Sequence, residues 1–365
     1  MQISENSYDD VQTANELGYR TATLVSVVIT TRNEENMIED CIMSILEQDY
    51  ANYEQIVVDA KSSDSTFQKI SGMASKASKK CKRFLFLSEE ADTPAKGRNI
   101  GVRAAYGDII AFTDGDCIAE KDWITNLVSH IPEESGCVGG PNILKHSKKS
   151  KILDAIDSVL GTRLGSGGSP QFLRIEKVSE VYAIPSCNFA IQKKLFDNIG
   201  GFDERLRFNE DSDLCNRIRK KGHKIIYAPH AKVNHFMELN SFSAFSGIIY
   251  KYGLEAGKNT KRNVKLFQRF RLLSFGIVLS ILALATFSFF TKIALLVLTA
   301  LILLIVLIVV SASAQIGVKK KSFVLAFLSV PIFFSIFTFY NVGFLFGCIL
   351  WLMYKPRGQN LDAET

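Results

Sequence analysis

Gly107–Asp116 reads GDIIAFTDGD. Asp108–Thr113 is a short apolar run of the kind found in a strand buried on both faces. Asp114 and Asp116 follow one residue apart, with Gly115 between them to let the chain turn. Paired hard oxygen ligands at the end of a strand suit Mg²⁺ or Mn²⁺, which also takes oxygens from a substrate phosphate. Asp and Gly are equally at home in a surface β-turn, so the pair alone leaves both readings open.

Upstream, the pattern repeats. Leu24–Thr30 (LVSVVIT) is a second buried-strand run, and Glu35–Gln48 carries Met37, Ile38, Cys41, Ile42, Ile45 and Leu46 at helical spacing. A strand at Gln55–Asp59, a helix after Asp64, a strand at Arg83–Leu87 and a helix near Pro94–Ala105 lead up to Asp108. Alternation at this pace predicts βαβ units and a mainly parallel sheet with helices on both faces. Ligands of such sheets bind beyond the carboxyl ends of the strands. The polar residues placed there are Thr31, Asn33 and Glu34, then Asp59, then Asp114 and Asp116. No GxGxxG follows the first strand, and no GxxxxGKS/T occurs, which argues against a dinucleotide-binding enzyme and an ATP-hydrolysing motor.

Downstream, Phe208–Arg217 (FNEDSDLCNR) opens a helix with Glu210, Asp211 and Asp213. Acids at that position complement the helix dipole. A carboxylate there is also placed to take a proton from an acceptor hydroxyl. Ala228–His235 (APHAKVNH) ends in an imidazole beside a strand, either a hydrogen-bonded structural histidine or a third protein ligand to a metal.

Beyond Arg271 the composition changes. Leu272–Phe290, Ile293–Ser313 and Phe323–Met353 are apolar stretches, each long enough for the roughly 20 residues that cross a bilayer core. Pro331 and Tyr340–Gly343 suggest that the last is a tight hairpin, which favours four membrane segments over three. Gly343 and Gly347 form a GxxxG there. The net charge of +6 is concentrated ahead of the first span, in Lys251, Lys258, Lys261, Arg262, Lys265, Arg269 and Arg271 against Glu255 alone. Such a collar suits anionic lipid head groups better than nucleic acid. The positive-inside rule puts it, and the region before it, on the cytoplasmic side of a multi-pass protein of the cell membrane.

The expected organisation is a polar lead-in over 1–22, an α/β domain over 23–240, a basic interfacial region with an amphipathic helix over 241–271, membrane helices over 272–354 and a polar tail over 355–365. Met1–Arg20 has no apolar core, so no signal peptide is expected there. The seven cysteines form no CxxC pair and suggest neither a zinc site nor a disulfide framework.

Taken together, five segments resemble glycosyltransferase family 2, the inverting enzymes with the GT-A fold, a Rossmann-like α/β architecture. They are Val25–Asn33 (VSVVITTRN), Gln55–Thr66 (QIVVDAKSSDST), Lys96–Asp116, Pro185–Glu204 (with SCNFAIQKKLFDNIGGFDE) and Glu210–Leu214 (EDSDL). The likeness covers Val25 to His235 and is similar to membrane-anchored members that assemble exopolysaccharide and lipid-linked glycans. It implies that Asp59 binds the base of a UDP- or GDP-linked sugar donor and that Thr31, Asn33 and Glu34 line the nucleotide pocket. Arg98 would lie near the base or phosphates, Asp114 on the ribose, and Asp116 on a Mg²⁺ or Mn²⁺ ion, with His235 as a further ligand. Asp211 would be the catalytic base, and Asn188 and Glu210 would face the acceptor. Two departures stand out. Ala60-Lys61 replaces the Asp-Gly found in many members, and no QxxRW of processive synthases occurs, since neither Trp123 nor Trp351 follows an arginine. One sugar per turnover is therefore expected.

A membrane anchor on such a transferase suggests a polyprenyl-linked saccharide as acceptor and no nucleic-acid partner. The alternatives are a polyprenyl (dolichyl) phosphate sugar synthase and, more remotely, a non-catalytic membrane scaffold. Thr162–Arg174 (TRLGSGGSPQFLR) reads either as a flexible linker or as a loop that orders over bound donor.

Overall fold

A computed structural model describes residues 23–131, 136–145, 150–173, 175–236, 241–258 and 267–353, without the side chains of 267–272. The lead-in, the tail and much of the basic collar lie outside the described residues. The chain forms two compact units. One holds the residues up to 145 together with 174–236, and the other holds 146–173 together with 237 onward.

In the first unit the expected alternation is realised. Strands β1 (Val25–Thr31), β2 (Tyr53–Asp59), β3 (Phe84–Ser88) and β4 (Ile109–Asp114) alternate with helices α1 (Ile38–Leu46), α2 (Thr66–Ala77) and α3 (Pro94–Arg103). After the short β5 (Cys117–Ala119) come α4 (Trp123–His130), β6 (Gly136–Gly139), β7 (Asn142–Lys145), β8 (Ser179–Glu180) and β9 (Phe189–Gln192). The main sheet has the order β3-β2-β1-β4-β9-β6-β10-β8, where β10 is Lys224–Tyr227. β1 pairs in parallel with β2 and β4, whereas β9 runs antiparallel to β4 and β6. A second sheet, β5-β11-β7, is completed by β11 (Val233–Phe236).

Register makes the site. Thr31 stands opposite Asp59, Asp59 opposite Ser88, and Thr30 opposite Asp114, so the ends of four parallel strands lie level. Apolar layers on both faces hold them there. One is built on Val27, Ile29, Ile42, Ile45 and Trp123, the other on Val28, Ile56, Phe112, Phe189 and Phe202.

Helix α3 approaches β1 unusually closely because two glycines, one turn apart, form its inner face. A Cβ at Gly101 would strike Val28 Cγ1, and one at Gly97 would come within 3.2 Å of Thr30 Cγ2. Gly101→Val is expected to cost about 1–3 kcal/mol through overpacking, read as a lowered unfolding midpoint, and to move Arg98 away from Asp114.

The second unit carries helices α5 (Lys151–Leu160), α8 (Phe242–Lys258), α9 (Phe267–Phe287), α10 (Lys292–Lys320) and α11 (Phe323–Met353), while α6 (Lys193–Ile199) and α7 (Glu210–Lys220) belong to the first. Segment 146–173, expected in the α/β domain, groups instead with the C-terminal helices. The apolar residues Leu153, Ile156, Val159 and Leu160 of α5 are buried there, and α5 packs on α11. Thr162–Arg174 winds into helical turns at Arg163–Ser166 and Pro170–Leu173, and Gly165 lies against the Val159 carbonyl.

The expected hairpin in 323–353 is absent: α11 is one continuous helix through Pro331 and Tyr340–Gly343. At 1.5 Å per residue it is about 46 Å long. Its glycines are contact points rather than turn points. A Cβ at Gly343 would meet the Tyr250 carbonyl of α8, and one at Gly347 the Leu254 carbonyl. Reciprocally, Gly253 and Gly257 face the carbonyls of Tyr340 and Phe344, and Ser246 hydrogen-bonds Ser335 at 2.8 Å. Two GxxxG faces thus cross backbone to backbone. Asn341 Nδ2 donates to Phe337 O within the helix and to Ser274 Oγ of α9, both at 2.7 Å, while its Oδ1 is buried without a partner. Gly343→Leu is expected to force α8 and α11 apart and lower the melting temperature of detergent-solubilised protein, whereas Gly276→Leu, where the space is open, is expected to leave it unchanged.

Among the described residues, two helices, Lys292–Lys320 and Phe323–Met353, are long and apolar enough to cross a membrane. Leu296, Leu303 and Leu307 of the first are 63–69% exposed, as lipid-facing side chains would be.

Candidate active site

Asp114 ends β4, and its Oδ1 accepts from Thr30 Oγ1 at 3.0 Å and from Arg98 at 2.7 Å. The turn that follows is possible only with glycine, because a Cβ at Gly115 would collide with Thr31 Oγ1. Asp116 leaves that turn and meets His235 of β11, with Oδ2 and Nε2 3.0 Å apart. Pairing of β11 with β5 brings them together, His235 lying opposite Cys117. Their side chains are 23% and 18% exposed. Burial disfavours both charges, but the hydrogen bond and mutual attraction win. Asp116 is held below the usual carboxylate range and His235 is raised to about 10. A carboxylate oxygen and an imidazole nitrogen converging at a half-open position fit a divalent cation, which would invert the charge balance of the pair.

Arg98 lies in the interior. Its side chain is 4% exposed and forms an ion bridge, to Asp114 Oδ1 at 2.7 Å and to Glu210 Oε1 at 2.8 Å. The glycine face of α3 carries it into the interior, where carboxylates compensate its charge. The Phe202 ring lies 5.7 Å from its guanidinium carbon. Glu210, 7% exposed, is paired to Arg98.

Asn188 lies in the interior. Fully buried, its amide donates to Pro141 O at 3.0 Å and Ala231 O at 2.8 Å, and its oxygen accepts from Trp123 Nε1 at 2.8 Å. Its polar capacity is spent joining β9 to the loops before β7 and β11.

Asp211 stays half-buried in the first turn of α7, beside the bridge, accepting from its neighbour Ser212 N at 2.6 Å. Burial raises its pKa, with backbone donors and Arg98 opposing. Glu210 is raised to about 7, by burial first and then by the charge of Asp211, against the pull of Arg98. The helix begins from Asn209 in the left-handed region (φ 62°), a strained entry that aims its first acids inward. Asp213 has the plainer role of pairing with Arg217 at 2.8 Å.

The remaining candidates cluster at the ends of β1 and β2. Asp59 is 1% exposed; its carboxylate accepts from Ser62 N and Ser62 Oγ and, at 3.3 Å, from Ser88 Oγ. It therefore shapes the Ala60–Ser63 turn, in which Lys61 takes the left-handed conformation (φ 51°) that a glycine would adopt freely. Asn33, also left-handed (φ 57°), accepts from Ser63 N at 2.8 Å, and Glu34 N donates to Thr66 Oγ1 at 2.8 Å. Thr31 Oγ1 is buried without a partner. Sequence reading missed Thr30, Ser62, Gly97 and Gly101; the four-residue glycine spacing was the one available signal.

The comparisons agree with this geometry. Residues 26–200 match the glycosyl transferase family 2 profile, and residues 174–240 match the N-terminal domain of galactosyltransferase. The amylovoran biosynthesis glycosyltransferase AmsB of Erwinia amylovora is 30% identical over 254 residues, 68% of this chain and 82% of that protein. Glycosyltransferase AglE of Haloferax volcanii is 25% identical over 57% of this chain, and the pre-mycofactocin glycosyltransferase of Mycobacterium tuberculosis is 30% identical over 39%. The chain spans 65% and 30% of the lengths of these last two relatives. Among solved structures, mannosyltransferase PcManGT from Pyrobaculum calidifontis, in complex with GDP-Man and Mn²⁺, superposes with a TM-score of 0.57 at 17% identity, over 87% of this chain and 86% of that one.

The fold is the GT-A architecture. The chain belongs to glycosyl transferase family 2.

Proposed function

We propose that this protein transfers one sugar, with inversion, from a nucleotide diphosphate-sugar to a hydroxyl of a polyprenyl-linked saccharide at the cytoplasmic membrane face, in polysaccharide or glycoprotein glycan assembly. The observation that carries this reading is the Arg98 bridge. It joins the strand-end acid Asp114 to the helix-start acid Glu210, and its charge also acts on the neighbouring Asp211, so a donor corner and a base belong to one electrostatic unit. AmsB's part in amylovoran biosynthesis supports a polysaccharide product, and the two long apolar helices support a membrane-borne acceptor.

Asp114, 28% exposed beside the bridge, would meet the donor's ribose. Asp116 and His235 would hold a divalent cation, and their mixed oxygen–nitrogen set suits Mn²⁺ better than Mg²⁺. When bound, the cation supplies counter-charge for the leaving nucleoside diphosphate. Asp211, raised by burial toward neutrality, takes the proton of the acceptor hydroxyl as that oxygen attacks the anomeric carbon. One displacement inverts the carbon and leaves no covalent sugar–enzyme intermediate. A raised base serves a hydroxyl acceptor; the phosphate acceptor of a polyprenyl-phosphate sugar synthase is already ionised and has no such need.

The test uses full-length protein in detergent, a panel of UDP- and GDP-sugars and short-chain polyprenyl-linked acceptors, with Mn²⁺ or EDTA. Metal-dependent release of nucleoside diphosphate from one donor, only with a saccharide acceptor present, is the expected result. Release that survives EDTA, or transfer to bare polyprenyl phosphate alone, would overturn the reading.

A further inference from the structure

Two of the seven cysteines, 70 residues apart in sequence, meet beside the strand-end corner. Cys117 begins β5 directly after Asp116, and Cys187 sits in the turn before β9. Pairing of β5 with β11 sets His235 opposite Cys117. The two sulfurs and a ring nitrogen of His235 all lie within 4.8 Å of one another. Ligand atoms around a tetrahedral zinc stand about 3.4–3.8 Å apart, given bonds of roughly 2.0–2.3 Å. The separations in the structure, at most 4.8 Å, exceed that spacing by no more than about 1.4 Å.

Two further contacts prepare the sulfurs. Asn142 Nδ2 donates to Cys187 Sγ at 2.8 Å, a contact that favours sulfur carrying negative charge. The other end of the same amide, Asn142 Oδ1, is buried without a partner. Cys117 Sγ points to Asp116 Oδ1 at 3.4 Å, so a carboxylate stands ready as a fourth ligand. Asp116 and His235 are partly exposed, which gives an ion a way in. Such a donor set differs in kind from Asp116–His235 alone, because thiolates select thiophilic cations such as Zn²⁺ over Mg²⁺ or Mn²⁺.

We propose that Cys117, Cys187 and His235 form a second, thiophilic metal site, and that Zn²⁺ there inhibits sugar transfer by drawing His235 and Asp116 away from the donor's cation. Binding forms two metal–sulfur bonds and a metal–nitrogen bond, and the two thiol protons and one imidazolium proton of His235 pass to solvent. The inhibitory part rests on the proposed function; the site itself does not.

The experiment therefore reads the site without turnover. Full-length protein in detergent, under reducing conditions, is titrated with Co²⁺ and followed for the near-ultraviolet thiolate-to-cobalt absorption. The expected result is saturation at one equivalent, displacement by Zn²⁺, loss of about half the band in Cys117→Ala or Cys187→Ala, and loss of all of it in the double variant. Cys137→Ala, at a buried cysteine remote from His235, controls for unspecific thiol binding and is expected to keep the band. Absence of a thiolate band in wild type, or an undiminished band in the double variant, would overturn the site. In a transfer assay with Mn²⁺, the activity ratio with and without added Zn²⁺ is expected to fall at least tenfold in wild type and to stay near one in Cys187→Ala. Equal inhibition in both would overturn the inhibitory role even with the cobalt band present.

Discussion

Asp211→Asn is expected to lower kcat by about 10²–10⁴, the range that removal of a general base produces, while leaving affinity for the nucleotide-sugar within a factor of about three. The asparagine keeps the shape of the side chain and its contact with Ser212 N but cannot take a proton. Single-turnover transfer and equilibrium donor binding separate the two effects. The pH dependence follows from the same burial. An acid with a raised pKa stays protonated, and so inactive as a base, to higher pH than usual. Glu210 is raised to about 7 and Asp211 is raised with it, so kcat is expected to fall as pH drops through neutrality, with apparent pKa values that belong to the pair. An acid limb lying no higher than that of an ordinary aspartate would remove the buried Asp211 from the mechanism.

Arg98→Met is expected to cost about 3–5 kcal/mol of stability, the usual consequence of deleting one partner of a buried ion pair. Asp114 and Glu210 then share an interior without their counter-charge. Because the Arg98 charge lowers the pKa of Glu210 and of Asp211, its loss also moves the acid limb of the rate profile to higher pH. Arg98→Lys, shorter and with a single charged nitrogen, cannot span both carboxylates and is expected to fall between wild type and Met. Thermal unfolding gives the first quantity and the pH–kcat profile the second. If Arg98 contacted the donor instead, the variants would raise the donor's KM and leave the acid limb where it was.

Much of the first unit was legible because buried parallel strands write themselves as apolar runs, and because their polar ends must cluster at one edge. The strand-end acids and the helix-start acids were found for that reason. Which way a side chain points is not written in local periodicity. Asn188 binds Trp123 and two carbonyls, and Glu210 pairs with Arg98, contacts that no spacing in the chain announces. The expected C-terminal hairpin failed. Pro331 and Tyr340–Gly343 carry turn residues, but the glycines serve a helix crossing, and a glycine in an apolar helix reads the same either way.

By itself the sequence determined the class of fold, the edge of the sheet at which chemistry gathers, and the acids available to it. These follow from local periodicity and from the spacing of motifs along the chain. Only the tertiary structure decided that Arg98 bridges two acids 16 and 112 residues away, and that Cys117, Cys187 and His235 share one corner. Such contacts are set by strand order and by the close approach that two glycines allow, and neither leaves a periodic trace in the chain.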